Sequence, residues 1–281
     1  IVLIVGYSIG NIQGIIVATC AVTTGVVSEA IYSGLVVRPV VRDQVKIMPV
    51  VKPALTLASF LRFYIPLVLT SLLTLVVQPI GSAALSRMPV ALDSLAVWPV
   101  ISGLTFMFRS IGVAYNEVVV ALLEEPLSTQ NLRRFTGILT ALSTLLILTM
   151  AITPLSRFWF QYVSGLEQDL ASMAVTGLLI AIPTAGLAVL QSWFQGVILY
   201  GGRTRGITEA VIIFLVTCTA LLWVGVSWGA VTGLYWALGV FTIAMLTQTI
   251  WLWLRSRREE RLVQERDNSL IFFTPLESTV H

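Results

Sequence analysis

Three ionisable side chains lie deep inside apolar runs: Glu29, Arg109 and Glu117. A cation at the centre of a membrane-spanning helix costs about 2.5 to 3.5 kcal/mol on insertion scales, so such residues generally face a bundle interior or a wet cavity. Arg109 and Glu117 share one run, from Asp93 to Glu125. On a single helix their eight-residue separation is about 12 Å along the axis and about 80° around it. They cannot pair directly but can line one cavity. Arg109 then serves either a substrate or gating role or an interhelical clamp. Glu29 and Glu117 fall at similar depths on different helices, and a carboxylate desolvated there can load and release a proton. The plainer alternative for each is a structural hydrogen bond to a neighbouring helix.

Four amides accompany these charges. Asn116 adjoins Glu117, and Gln78 precedes Pro79, which removes a backbone donor and frees the carbonyl of Thr74. Gln191 and Gln195 are four residues apart and share a helix face. Each amide either hydrogen-bonds a substrate or ties two helices together. Enzymatic chemistry is not expected. The only histidine is the last residue, His281, which leaves no Ser-His dyad and no histidine-based metal site. Neither a metal nor an organic cofactor is therefore anticipated. Cys20 and Cys218 both sit in apolar runs.

The elements that must position these residues are read from composition. Of 281 residues 57% are hydrophobic and only 11% charged, where soluble domains average about 25% charged. That surplus of apolar surface, in runs of about 20 residues or more, implies an all-α polytopic membrane protein, because a helix satisfies its own backbone in lipid. Seven full spans are expected, near 12–37, 57–85, 94–123, 135–155, 170–200, 207–226 and 230–254, with 1–9 as the tail of an earlier one. Residues 38–56 read as a linker and 255–281 as a polar tail whose first part extends the last helix by two or three turns. The chain opens on Ile inside an apolar run, so it is expected to lack its beginning.

Charge sets the orientation. Of 17 Lys and Arg residues, fourteen fall on one side of these spans, in the linker with Arg62, at Arg133 and Arg134, at Arg203 and Arg205, and in the tail. Arg87 and Arg157 fall on the other, and Arg109 between them. By the positive-inside rule the linker and C-terminus are cytosolic, which implies a multi-pass protein of the cell (inner) membrane. Charges grouped at helix ends, and not along one groove, exclude nucleic acid as a partner. The bilayer is the partner instead.

The stretch FQGVILYGGRTRGITEA, residues 194–210, resembles a motif of multidrug and toxic compound extrusion transporters. Gln195, Gly196, Gly202, Thr204 and Arg205 carry the likeness. Residues 63–89, FYIPLVLTSLLTLVVQPIGSAALSRMP, look like the seventh span of the same superfamily and are similar to its progressive ankylosis branch. Together they resemble the multidrug, oligosaccharidyl-lipid and polysaccharide exporter superfamily. That resemblance implies two six-helix lobes around a central cavity, with export by alternating access driven by a proton or sodium gradient. On this mapping 1–37 ends the N-terminal lobe, 38–56 is the cytosolic interlobe linker, 57–254 is the six-helix C-terminal lobe and 255–281 a cytosolic tail. The rest of the first lobe of the same chain becomes an implied partner. The pathway would be lined by Arg109, Glu117, Asn116, Gln78, Gln191, Gln195 and Glu29. The resemblance alone favours drug efflux. A central arginine suits anionic, phosphate-bearing or lipid-linked saccharide cargo better, by Coulomb preference. A non-transporting membrane scaffold or truncated pseudo-transporter is the reading from a different class.

Overall fold

The computed structural model describes residues 2–9, 13–45, 56–125, 127–202 and 205–273, and among them every regular element is helical. Six helices are long and apolar enough to cross a membrane: Gly14–Asp43, Ala91–Leu123, Thr129–Ile152, Gln168–Tyr200, Arg205–Trp228 and Gly233–Ser269. The chain is thus an all-α, multi-pass membrane protein. The remaining expected span, 57–85, forms one helix, within which Leu75–Leu85 counts as a shorter apolar segment among the described residues. The chain divides into two compact units, Ile1–Leu61 and Arg62–His281.

The first unit holds α1 (Val2–Ile9) and α2 (Gly14–Val40), the latter ending in a π-helical turn over 41–45. Gly6 lets the two helices touch, since a Cβ there would overlap Val17. No residue of α2 is buried, and Glu29 is exposed. The helix runs past Arg38 and through Pro39, which lies in its last turn, so the beginning of the expected linker is helical. Lys46, Lys52 and the rest of that linker up to residue 55 lie outside the described residues.

The second unit contains most of α3 (Leu57–Leu85), then α4 (Ala91–Leu123), α5 (Thr129–Ile152), the short α6 (Leu155–Phe158), α7 (Gln168–Ala181), α8 (Pro183–Tyr200), α9 (Arg205–Trp228) and α10 (Gly233–Phe273). The central helix is α8. Twelve of its 18 residues are buried, and it packs against α4, α5 and α10. Ala188, Ser192 and Gly196, spaced by four, form a stripe of small side chains on it, which lets helix backbones approach closely in lipid. Against that stripe a Cβ on Gly112 of α4 would lie 2.8 Å from the Val189 backbone nitrogen, and one on Gly196 would overlap Val119. The larger core joins Leu85, Val97, Ile101, Leu178, Leu222 and Leu234, which come from α3, α4, α7, α9 and α10.

One expected span is interrupted at a single residue, Ile182, whose φ of −47° and ψ of −47° are still helical. Its apolar pattern is continuous from 170 to 200, but Pro183 has no N–H and its ring crowds the carbonyl four residues back, so α7 stops at Ala181 and α8 restarts at the proline. Two threonines donate to carbonyls beside the proline. Thr184 Oγ1 donates to the Ala181 carbonyl at 2.6 Å, and Thr242 Oγ1, from α10, donates to that of Ile180 at 3.2 Å.

The last helix is longer than the two or three extra turns anticipated. It runs to Phe273, about five turns past Leu254. Nine of the thirteen residues from Arg255 to Asp267 are charged, so this part stands clear of the hydrocarbon. It folds against the ends of its neighbours. Arg266 Nη1 donates to the Leu123 carbonyl at 3.0 Å and to Tyr200 Oη at 2.6 Å, and Nη2 to the Glu125 carbonyl at 3.4 Å. Asp267 Oδ2 accepts from the Thr129 amide at 3.2 Å and its hydroxyl at 2.5 Å. A cation thus meets the C-terminus of α4 and an anion the N-terminus of α5, each matched to the helix dipole. Burial alone would raise the Asp267 carboxyl, but the hydrogen bonds from Thr129 and Arg266 outweigh it and hold it below the ordinary carboxylate range.

Candidate functional site

Helix α4 carries Arg109 past its midpoint, in the part of the bundle where α3, α7, α8 and α10 converge. There Gln78, Trp98, Ser102, Thr105, Arg109 and Thr184 line a cavity of about 100 Å³, closed on its apolar side by Leu238, Phe241 and Met245. The cavity adjoins the break between α7 and α8, for Ala181 and Thr184 are part of its wall. Gln78 is fixed by Trp98, whose Nε1 donates to its Oε1 at 3.3 Å. Around Gly81, one turn further along α3, Trp98 and Phe241 pack at ordinary contact distance from where a Cβ would stand. Thr105 Oγ1 is occupied by the carbonyls of Ile101 and Ser102.

Arg109 is the group left without a partner. Its Nε is buried and makes no hydrogen bond, and among the described residues no carboxylate forms an ion pair with it. A guanidinium brings five donors and a permanent charge. In the middle of a spanning helix that charge requires water, carbonyls or an anion. At about 30 Å³ per liquid water, the cavity holds roughly three waters or one group the size of a carboxylate or phosphate.

Comparison with known proteins returns nothing. No family model, curated protein or solved structure matches this chain. What the site can do must therefore be read from its own residues.

Of the sequence-derived candidates, the structure brings Gln78 and Arg109 together. Asn116 lies two turns further along α4, where Nδ2 donates to the Ser192 carbonyl of α8 at 3.2 Å. Gln191 is buried in the α8–α10 contact. Its Nε2 donates to the Met245 carbonyl at 3.1 Å, Thr249 Oγ1 at 3.1 Å and Gln248 Oε1 at 3.3 Å. Gln195 is half-buried one turn on, and Glu117 is exposed on the surface of the second unit, as Glu29 is on the first. Gly196 is the position at which α8 packs against Val119 of α4, and Gly202 turns the chain after α8 with φ of 69°. Arg205 is exposed at the start of α9, whereas Thr204 lies outside the described residues.

Two participants had no sequence signal that singled them out. Trp98 and Thr184 look like ordinary residues of apolar spans until α3 and α7 are placed beside them. Pro183 was the available clue, because a proline within an otherwise continuous apolar run marks a broken turn and the polar groups that must serve it.

Proposed function

We propose that the chain is the C-terminal part of a secondary exporter that binds an anionic group of its substrate at Arg109 and moves it out of the cytosol by alternating access. The observation that carries this reading is the unpartnered Arg109 guanidinium beside Gln78 in a polar cavity of the spanning bundle. A cation within the spanning bundle that has no protein anion among the described residues is relieved by a ligand anion. The volume of about 100 Å³ suits a carboxylate or phosphate head and not a whole drug-sized molecule, whose pockets run to roughly 300 Å³ or more.

The likeness to the multidrug, oligosaccharidyl-lipid and polysaccharide exporters supplies the rest of the proposal. It implies a two-lobed protein of the inner membrane with a cytosolic C-terminus, driven by a proton or sodium gradient, with lipid-linked saccharide flipping as the nearest alternative cargo. Glu117 is then the carboxylate candidate for ion coupling on this lobe. The scaffold reading draws on Asn116 and Gln191, whose amides are engaged in helix–helix bonds.

The test is efflux. Cells making the chain are loaded with carboxyfluorescein, an anionic dye, or ethidium, a cationic one, and dye loss is followed with and without a proton or sodium ionophore. Faster loss of carboxyfluorescein than of ethidium, abolished by an ionophore and by Arg109→Gln at equal membrane levels, is expected. Equal retention of both dyes in wild type and variant would favour the scaffold.

A further inference from the structure

A second cavity lies far along the bundle from Arg109, where α8 ends, α9 begins and α10 leaves the hydrocarbon. It measures about 730 Å³ and is lined by Arg205, Arg255 and Arg258, with Glu209 and Glu259, Gly202 and Gly206, and Ile198 and Leu254. The three arginines differ in what holds them. Arg255 is neutralised by Glu209, with Nη2 at 2.5 Å and Nε at 2.8 Å from Oε2, and the same oxygen accepts from Trp251 Nε1 at 3.3 Å. Arg205 and Arg258 have no ion pair or hydrogen bond among the described residues, whereas Glu259 has an interaction of its own. The pocket therefore presents two uncommitted guanidinium groups.

Its level is that of the membrane boundary. Arg255 stacks over Trp251 at 5.1 Å and Arg257 over Trp253 at 3.7 Å, an arrangement in which indole rings occupy the headgroup zone and the charges sit just beyond it. Below the arginines, Leu254 and Ile250 of α10 are exposed apolar side chains on which acyl chains can lie. Gly202 and Gly206 contribute no side chain to the wall.

We infer that this cavity holds the phosphate headgroup of an anionic bilayer lipid, with Arg205 and Arg258 on the phosphate and Arg255 kept in place by Glu209. Each guanidinium can meet a phosphate with two parallel N–H···O bonds, the pairing arginine favours for that anion. Clusters of basic residues between helices at the charged end of a bundle attract anionic headgroups. The inference does not depend on the transport reading.

Native mass spectrometry of the full chain, purified in a mild detergent, tests it with phosphatidylglycerol, phosphatidylcholine and inorganic phosphate as probes. Phosphatidylglycerol should remain bound at one per chain where phosphatidylcholine does not. Its affinity should fall by about tenfold or more in Arg205→Gln/Arg258→Gln. Arg134→Gln/Arg261→Gln, which removes the same charge outside the cavity, should leave it unchanged. Arg205→Lys/Arg258→Lys guards against a folding failure, because it keeps the charge and should retain part of the binding. Equal loss in the two Gln double variants would show diffuse attraction and overturn the site. Displacement of the lipid by millimolar inorganic phosphate would assign the cavity to a soluble phosphate compound and overturn the lipid.

Discussion

Asp267→Ala should loosen the start of α5, and the size of the effect can be worked from the contacts. The carboxylate accepts both the Thr129 amide and the Thr129 hydroxyl and is flanked by Arg266 at 2.8 Å. It acts as an N-terminal cap supplied from a distant helix, and losing a cap costs about 0.5 to 2 kcal/mol. Hydrogen bonds to a charged group add to that, at about 1.5 to 3 kcal/mol each when shielded. The Arg266 side chain is 29% exposed, so the lower end of these ranges applies and the total is about 1.5 to 3 kcal/mol. Most of this is local, since α5 also packs on α4 and α8. Amide exchange over residues 127–135 should therefore quicken about tenfold to a hundredfold, with α8 unaffected. Asp267→Asn, which keeps an acceptor but loses the charge, should fall between. Unchanged exchange in Asp267→Ala would mean that the extension of α10 is not docked on α5.

Other predictions follow from the same contacts. The lowered Asp267 carboxyl contributes stability that is present above the unfolded value near 3.9 and lost as the pH falls through the lower folded value. Exchange over residues 127–135, corrected for intrinsic rates, should then be flat from pH 5 to 8, and an increase within that window would contradict it. Gly112→Ala forces a Cβ to within 2.8 Å of the Val189 backbone nitrogen and should destabilise by about 1 to 3 kcal/mol. Gly103→Ala on the same helix meets nothing within 4 Å and should be neutral or stabilising in a thermal-unfolding comparison. Gln191→Leu removes three bonds to α10 at roughly 0.6 kcal/mol each, and should lower the unfolding midpoint without changing dye selectivity. If Glu117 carries the coupling proton, Glu117→Gln should flatten the pH dependence of efflux at normal expression; an unchanged profile would remove it from that role.

The helical, multi-pass character was legible because the apolar runs are long and few charges interrupt them. Arg109 was legible for the same reason, as a cation where hydrocarbon tolerates none without help. What could not be read was the environment each polar side chain acquires from other helices. Gln78 and Gln191 are the same residue type in similar apolar surroundings, yet one borders a cavity and the other joins α8 to α10, a difference made by Trp98 in one case and Thr249 in the other. The break at Pro183 was hidden by hydropathy, which does not register a missing N–H. The long α10 had a visible cause, since no glycine or proline follows Gly239 until Pro275, but its docking depends on Thr129 and Leu123, more than 130 residues away in sequence.

The most direct test of Arg109 as an anion site is charge-selective labelling inside its cavity. Ser102, half-buried in the cavity wall, is changed to cysteine in a Cys20→Ala/Cys218→Ala background and treated with an anionic and a cationic methanethiosulfonate reagent. Ser102 and Arg109 are seven residues apart on α4, about 10 Å along the helix, so unit charges interact by about 1.7 kcal/mol at an effective dielectric near 20. Reaction with the anionic reagent should be favoured about tenfold or more over the cationic one, relative to the same ratio in Arg109→Gln. Labelling with no charge preference, or a preference that survives Arg109→Gln, would contradict the assignment of Arg109 as the group that receives the substrate's anion.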